Sequence, residues 1–259
     1  MPYVDLPGVH LWYTDTGGDG PPVVFLHAAS GTCESWVYQL SAFTEAGYRC
    51  IAFDRKGWGH SRPDPAGEQP GSVSDDLHGL ADHLTLTRFH LVATAAGGGG
   101  SLDYALGHPE RVRSLVIADH GFGQLQDPEF KQVVDRVRPL QIDGLPVELR
   151  ELGPGYRATN PAGMRRWLEI ERASVAEGAR GPRQPPRNQL AFALLETLTV
   201  PTLLIAGEAD LITPPAVMRL VAAHIPSCQF ATVPEAGHAA FWERPDVWNR
   251  VVLDFIGQH

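Results

Sequence analysis

Six short apolar runs, separated by helical patterns, constrain the fold of this chain more than any other feature. Continuous apolar runs of this length are typical of parallel strands that are covered on both faces of a sheet. Strand and helix alternate along most of the chain, which predicts βαβ units. The runs are Pro22–His27, Tyr48–Asp54, Phe89–Ala93, Val112–Asp119, Pro201–Gly207 and Cys228–Pro234.

The segments between the runs carry apolar residues at helical spacing. In residues 73–84 the apolar positions are spaced by 4, 3 and 4, so they share one helix face, and residues 217–225 and 247–255 show the same kind of pattern. A leading hairpin is expected from Tyr3 to Leu6 and from His10 to Thr14. The predicted fold is therefore α/β, with a mostly parallel eight-stranded sheet and helices on both faces.

The alternation breaks after the fourth run, where a long stretch is helical and polar. Because this stretch lies between two core strands, we interpret residues 122–196 as a helical cap over the carboxyl edge of the sheet, where active sites of open α/β sheets lie. Residues 1–121 and 197–259 would then form the core. The alternative is a helical excursion without a catalytic role. The least regular part, Gly178–Arg187, is expected to be a loop inside the insertion.

Composition excludes several classes of function. The chain has 259 residues, of which 43% are hydrophobic and 20% charged, as in a folded globular protein. A net charge of −9 argues against non-specific electrostatic binding of nucleic acid. No run reaches the roughly 18 apolar residues of a membrane helix, and the first residues lack a basic secretory pattern, so a cytoplasmic location is expected. Cys33, Cys50 and Cys228 share no metal-like spacing and are expected to be buried free thiols.

The turn after the third run has the small residues of a nucleophile corner but no nucleophile. On a sharp strand-to-helix turn, written G-x-S-x-G, the neighbours two residues away on each side must be small. Ala93 and Gly97 meet that requirement around Ala95, which stands where the nucleophile is needed. Thr94 fits poorly as a nucleophile, because a branched residue would then stand two positions before it. Ser101 is expected on a helix face.

Two later turns supply an acid and a histidine in the order that follows such a corner. Asp210 follows the fifth run, and His238 follows the sixth. A neutral imidazole can take a proton from a nucleophile, while a buried carboxylate holds its tautomer and stabilises the imidazolium. Asp119, at the end of the fourth run, is the rival acid. The turn chemistry of Gly-Glu-Ala-Asp before Leu-Ile-Thr-Pro-Pro favours Asp210.

The turn after the first run is a candidate for half of an oxyanion hole. Two backbone N–H groups must point at one place, one from the residue after the nucleophile position and one from this loop. We predict Ala96 and Ala29 for these roles. His27 is expected to brace the loop. Arg55 and Lys56, after the second run, are expected to be solvated charges, although they could steer an anionic substrate.

Together these pieces resemble the α/β-hydrolase superfamily over nearly the whole chain. The size and the single helical insertion resemble small bacterial serine hydrolases that open lactones, esters or carbon–carbon bonds in ring-cleavage products. The resemblance implies hydrolysis of a C–O or C–C bond in a small organic substrate, without a metal or an organic cofactor. The departures are Ala28 and Ala93, where relatives usually have glycine, and Ala95, where they have serine.

The resemblance also implies roles for individual residues. A serine at position 95 would attack the carbonyl, His238 would shuttle protons, and Asp210 would orient the imidazole. The expected partner is a small-molecule substrate, not nucleic acid or a membrane, and the chain would be a monomer or a homodimer. Substrate contacts are expected from Ser30, His120, Tyr156 and Trp167, although core packing explains the last two equally well.

Three explanations of Ala95 stay open. In the first, a serine has been exchanged for alanine to trap a ligand, which leaves acid, base and oxyanion loop intact and the chain inactive. Alternatively, a natural enzyme needs only the His238–Asp210 dyad, as in the cofactor-free dioxygenases that this superfamily includes, or in a lyase. Finally, the chain is a catalytically dead protein that binds a ligand under the cap.

Overall fold

The computed structural model describes residues 3–64, 71–175 and 184–259. The strands of its one central sheet are β1 (Tyr3–Leu6), β2 (Val9–Asp15), β3 (Pro22–Leu26), β4 (Arg49–Phe53), β5 (Arg62–Pro63), β6 (Phe89–Thr94), β7 (Val112–Ala118), β8 (Thr202–Gly207) and β9 (Gln229–Val233). They are ordered β1-β2-β4-β3-β6-β7-β8-β9, and β5 pairs with β2.

The sheet is parallel from β4 to β9 along this order. Strands β1, β2 and β5 run antiparallel to their neighbours. The predicted mostly parallel sheet of eight strands is therefore confirmed, with the two-residue β5 as an addition that the sequence did not suggest. The ends of the predicted strands agree with the observed ends to within one residue.

Helices connect most of the strands. The α-helices of the described residues are α1 (Val37–Glu45), α2 (Val73–His83), α3 (Ala96–Gly107), α4 (Pro128–Val137), α5 (Val147–Glu151), α6 (Pro154–Thr159), α7 (Pro161–Ser174), α8 (Phe192–Leu195), α9 (Pro215–Ala223), α10 (Ala240–Glu243) and α11 (Pro245–Ile256). The three predicted helical patterns correspond to α2, α9 and α11. Helix α2 begins after Ser72, whose side chain accepts a hydrogen bond from the Asp75 N–H at 3.0 Å.

The two faces of the sheet pack against two apolar clusters. In β3, Val24 and Leu26 face one cluster, while Val23 and Phe25 face the other, as the two-residue period of a strand requires. Helices α2, α3, α4 and α9 contribute to the first cluster, and α1, α7, α10 and α11 contribute to the second. Helices therefore cover both faces, as expected, and leave the carboxyl edge of the sheet as the place for a site.

Between β7 and β8 the described residues form helices and no strand. Helix α4 packs beside α9 and buries Phe130, while α7 adds Trp167 to the cluster on the other face. Helices of the insertion thus pack into the apolar clusters on both faces of the sheet. That residues 122–196 form a cap over the sheet stays a prediction. Of the predicted loop Gly178–Arg187, the part up to residue 183 lies outside the described residues, and residues 184–187 have no regular secondary structure.

Three structural observations concern membrane-spanning helices, metal ligands and the cysteines. None of the helices in the described ranges is both long and apolar enough to cross a membrane. The same ranges contain no group of three or more histidine, cysteine, aspartate or glutamate residues that could hold a metal ion. All three cysteines are free thiols. Cys33 and Cys50 are buried as expected, but Cys228 is partly exposed.

Two glycines let α3 approach the sheet closely. A Cβ atom at Gly97 would lie 2.4 Å from the carbonyl oxygen of Leu26 in β3. A Cβ atom at Gly98 would lie 2.7 Å from Cγ2 of Ile117 in β7. At Gly99 the nearest atom would be Cε1 of His120 at 3.4 Å, an ordinary contact distance. The first residues of α3, which lie at the candidate site, are therefore fixed by packing against β3 and β7.

We predict opposite effects for two alanine substitutions in α3. Gly97→Ala forces a methyl group against the β3 backbone and should lower the free energy of unfolding by about 1–3 kcal/mol. Gly99→Ala meets no clash and should raise it by up to about 1 kcal/mol through helix propensity. Urea unfolding of the two variants measures both changes, and equal effects of the same sign would contradict this account of the packing.

Candidate active site

Ala95 forms a strained corner between β6 and α3. Its backbone has φ +45° and ψ −121°, a conformation that non-glycine residues rarely adopt. The Ala95 N–H donates to the carbonyl of Ala118 at 2.8 Å, and its carbonyl accepts from the Gly98 N–H at 3.0 Å. The corner expected from the sequence is thus formed by the backbone, while its side chain is a methyl group that cannot attack a substrate.

The hydroxyl groups of Thr94 and Ser101, the nearest along the chain, do not replace a nucleophile at the corner. The Thr94 side chain is fully buried in β6. The Ser101 hydroxyl donates to the carbonyl of Gly97 at 3.1 Å, one turn back in α3, and this serine is also fully buried. Both hydroxyl groups are therefore closed off from solvent.

Asp210 and His238 lie in direct contact beyond the ends of β8 and β9. The His238 Nδ1 atom lies 2.8 Å from Oδ2 of Asp210, and the Asp210 side chain is completely buried. The other carboxylate oxygen accepts the N–H groups of Ile212 at 2.8 Å and Thr213 at 2.9 Å. Since the carboxylate only accepts, Nδ1 carries the proton of this bond and Nε2 is left for other partners.

Asp119, the rival acid, braces the sheet edge instead. It follows β7 with φ +51° and is fully buried. One carboxyl oxygen accepts the Gly207 N–H at 2.8 Å, and the other has no hydrogen-bond partner within the described ranges. Burial, together with the charge of Asp210, raises the pKa of Asp119 well above its usual range. The histidine is therefore hydrogen-bonded to Asp210, whereas Asp119 is hydrogen-bonded to the backbone of β8.

The carboxyl groups around His238 determine its charge. Burial lowers the pKa of the imidazole, but the charge and hydrogen bond of Asp210 outweigh it, and Asp119 and Glu151 add smaller contributions in the same direction. The resulting pKa of His238 is about 9, compared with an ordinary value of 6.5. The ring is therefore an imidazolium at neutral pH.

The two predicted oxyanion donors lie on the wall of one cavity. Ala29 and Ala96 both line a space of about 520 Å³ next to the corner. Ala96 is the first residue of α3, so its N–H has no acceptor within the helix. The segment after β4 holds the Ala29 loop in place, because the Trp58 indole N–H donates to the Ala29 carbonyl at 2.8 Å. Their role as oxyanion donors remains a prediction.

His27 and Arg55 hold this loop in place. His27 Nδ1 donates to the Ala28 carbonyl at 2.7 Å, and its Nε2 accepts the Arg55 N–H at 2.9 Å. Burial and the charge of Arg55 lower the pKa of His27 to about 3, so the ring is neutral. The expectation that Arg55 and Lys56 are solvated is wrong, because they are only 7% and 5% exposed. The Arg55 guanidinium donates to the carbonyl of Ala28 at 3.2 Å and lies over the ring of Trp58, 4.4 Å from its centroid.

Of the residues predicted to contact a substrate, His120 lies at the corner and Ser30 lies in the loop that follows β3. The Nδ1 atom of His120 donates to the carbonyl of Ala95 at 2.7 Å, and the ring lines the same cavity. Burial lowers the pKa of His120 to about 4, so Nε2 is an acceptor at neutral pH. Ser30 is half-buried, and its hydroxyl lies beside the Glu151 carboxyl. These two roles stay predictions.

Tyr156 and Trp167 do not line the described part of this cavity. Trp167 is 1% exposed and packs against Phe241 and Trp242, with ring centroids at 6.0 and 5.6 Å. Tyr156 is half-buried and packs against the same cluster, where burial raises its pKa to about 12. Their positions thus support core packing, the alternative that the sequence left open, and in α7 it is Trp167 that packs against α10.

Sequence reasoning missed two carboxylates that shape the site. Glu243 in α10 accepts the N–H groups of Gly153 at 2.8 Å and Gly237 at 3.0 Å, which fastens the insertion to the loop of the histidine. Glu151, the last residue of α5, lies beside that loop with its side chain buried. A single acidic residue gives no signal in the sequence that separates these two from solvated glutamates.

Comparison with known proteins identifies the family. The chain matches the family model for the alpha/beta hydrolase fold over residues 21–245. This match covers most of the chain, and the protein therefore belongs to the α/β-hydrolase fold family.

Individual relatives are similar over nearly their full length. The 2-hydroxy-6-oxononadienedioate/2-hydroxy-6-oxononatrienedioate hydrolase of Paraburkholderia phymatum is 29% identical over 277 aligned positions, covering 96% of this chain and 92% of that protein. A thermophilic esterase from Thermogutta terrifontis with malate bound has a TM-score of 0.80 at 24% identity, covering 100% of this chain and 99% of that one. An enol-lactonase from Burkholderia xenovorans has a TM-score of 0.80 at 23% identity, covering 99% and 100%. The two structural likenesses show the fold.

We predict that the Cε1–H resonance of His238 titrates with a pKa of about 9, as measured by NMR and assigned by its loss in His238→Gln. In Asp210→Asn the pKa should fall, because the main charge that favours the imidazolium is gone. Protonation of His238 favours the folded state, so its contribution to stability is complete below pH 6.5 and is lost as the pH rises through about 9. Titration at the ordinary value, unchanged in Asp210→Asn, would contradict this electrostatic account.

Proposed function

We propose that this chain has the site of a hydrolase for a C–O bond of an ester or lactone, or for a C–C bond, in a small organic substrate. The nucleophile position of that site is occupied by alanine. The observation that carries the proposal is the His238–Asp210 pair at 2.8 Å, which follows the corner of Ala95 at the same edge of the sheet. A proton-transfer pair of this kind is what a serine hydrolase needs.

The chemistry of each part supports this proposal. The amides of Ala29 and Ala96 would hold the oxygen that becomes negative when a carbonyl is attacked. His238 would take the proton of the attacking group and give it to the leaving group, and Asp210 would hold the imidazole in the required tautomer. Because Ala95 has no hydroxyl group, the chain can bind and polarise a carbonyl compound but cannot form an acyl-enzyme.

The names of the relatives also favour a small organic substrate. The name of the Paraburkholderia phymatum protein describes a hydrolase of a small organic acid, and the titles of the two structures describe an esterase and an enol-lactonase. We therefore propose a small organic acid, ester or lactone as the substrate.

A second candidate function is catalysis by the dyad alone, as a cofactor-free dioxygenase or a lyase. The specific observation in its favour is the raised pKa of His238, about 9. When neutral, such an imidazole is a stronger base than an ordinary histidine, and it could remove a proton directly from an acidic organic substrate.

We predict that Ala95→Ser turns the protein into an active hydrolase. Loss of a triad nucleophile typically costs on the order of 10⁶ in turnover, so the gain should be several orders of magnitude. Activity should rise with pH toward about 9, since the reaction needs neutral His238. The measurement is kcat/KM on a panel of nitrophenyl esters, γ-lactones and C–C ring-cleavage acids.

The double variant Ala95→Ser/His238→Ala is the control and should be inactive. A folded Ala95→Ser protein without activity on the whole panel would refute the hydrolase proposal. Turnover by the protein with Ala95 that His238→Ala abolishes would favour the dyad-only alternative.

A further inference from the structure

His120 binds the peptide group that joins the corner residue Ala95 to Ala96. Its Nδ1–H donates to the carbonyl oxygen of Ala95 at 2.7 Å, and the same oxygen accepts the N–H of Gly98 at 3.0 Å. Because a carbonyl oxygen only accepts, the proton of the shorter bond belongs to Nδ1. The oxygen of this peptide group is therefore held by two donors, one from the first turn of α3 and one from the segment after β7.

The two bonds also orient the other end of the peptide group. In a planar trans peptide the carbonyl oxygen and the following N–H point in opposite directions, so fixing the oxygen of Ala95 fixes the direction of the Ala96 N–H. That N–H has no acceptor within α3, and Ala96 lines the cavity. The bond from His120 therefore acts on one of the two proposed oxyanion donors, through the opposite side of the same peptide group.

The imidazole ring of His120 is itself held in place. The ring of Phe122 meets it edge to face, with centroids 4.5 Å apart and an angle of 68° between the planes. A Cβ atom at Gly98 would lie 2.9 Å from Cγ of the imidazole, so the ring lies directly against the first turn of α3. Burial lowers the pKa of His120 to about 4. At neutral pH the ring is therefore neutral, with its single proton on Nδ1.

The strained backbone of Ala95 needs this support. Its ψ of −121° accompanies a φ of +45°, whereas a non-glycine residue with positive φ is best tolerated at a ψ of about +30 to +60°. Rotation of the following peptide group toward that range would relieve strain and turn the Ala96 N–H over. The donors from His120 and Gly98 oppose the rotation, because they bind the oxygen where it now lies. A hydrogen bond to the carbonyl also polarises the peptide group, which makes its N–H a better donor.

We propose that His120 is a positioning residue, which orients and polarises the Ala96 N–H as an oxyanion donor through its hydrogen bond to the Ala95 carbonyl. The inference rests on the proposed function, since an oxyanion forms only when a substrate carbonyl is attacked. It gives the Nδ1 edge of the ring a task that differs from the substrate contact predicted for His120. Such a contact would use Nε2, so variants can separate the two tasks.

Three substitutions of His120 in the Ala95→Ser protein make this separation. His120→Asn keeps an N–H donor near the place of Nδ1 and removes Nε2. His120→Gln keeps a polar group near the place of Nε2 but loses the donor at Nδ1, and His120→Leu loses both. We expect His120→Leu and His120→Gln to lower kcat for a nitrophenyl ester by at least about tenfold, and by up to about 10²–10³, the cost of losing one oxyanion donor. KM should stay unchanged, because the lost interaction belongs to the transition state, and His120→Asn should keep most of the activity.

The amide nitrogen resonance of Ala96 gives a readout that does not depend on turnover. In the protein with Ala95, loss of the bond to the preceding carbonyl should move this resonance upfield in His120→Leu and in His120→Gln, and much less in His120→Asn. Unchanged amide resonances in the distant helix α11 and urea unfolding show that each variant is folded. If His120→Leu does not fold, the comparison of His120→Gln with His120→Asn carries the test.

Three results would overturn the proposal. The first is unchanged kcat, or an unchanged Ala96 resonance, in folded His120→Leu. The second is an equal loss in all three variants, which would give His120 a packing role only. The third is activity kept by His120→Gln and lost in His120→Asn, which would assign the substrate contact through Nε2 instead. Failure of the proposed function is a separate result, because Ala95→Ser would then be inactive with His120 intact, and the Ala96 resonance would still decide whether His120 holds the peptide group.

Discussion

The hydrogen bond between His238 and Asp210 joins the segments that follow two neighbouring strands, and the candidate site is arranged around it. The same edge of the sheet is tied together by further short bonds. The Ala95 N–H donates to the carbonyl of Ala118, and the Gly207 N–H donates to Asp119, both at 2.8 Å. These bonds fix the carboxyl ends of β6, β7 and β8 relative to one another, so the imidazole is placed by the sheet and not by its own loop alone.

Ala95 shows that the corner does not need a nucleophile to exist. A non-glycine residue with this backbone conformation costs on the order of 1–3 kcal/mol, and the surrounding structure maintains it. Gly97 permits the close approach of α3 to β3 that enforces the turn. Because the geometry belongs to the backbone, adding one oxygen atom at position 95 tests the chemistry without rebuilding the site. The proposed function rests on this point: the backbone of the corner is in place, and only the attacking oxygen atom is missing.

The sequence predicted those parts of the molecule that depend on neighbours along the chain. Apolar runs gave the strands, and small residues around Ala95 gave the corner, because both signals are local. The pairing of His238 with Asp210 followed from their positions after adjacent strands. Burial of Arg55 and the inward turn of Glu151 depend on segments distant in sequence, and a charged residue looks the same in sequence whether it is solvated or enclosed. For Trp167, the sequence left core packing open but did not identify its partners in α10.

The most direct test of the account is covalent labelling of Ala95→Ser with a fluorophosphonate, followed by intact-mass and peptide mass spectrometry. Phosphonylation requires a hydroxyl at the corner, a base within reach and donors for the phosphonyl oxygen, but no knowledge of the natural substrate. The account predicts one label per chain on residue 95, and no label in the protein with Ala95 or in Ala95→Ser/His238→Ala. A folded Ala95→Ser protein that stays unlabelled would show that the corner and the imidazole do not share one working site.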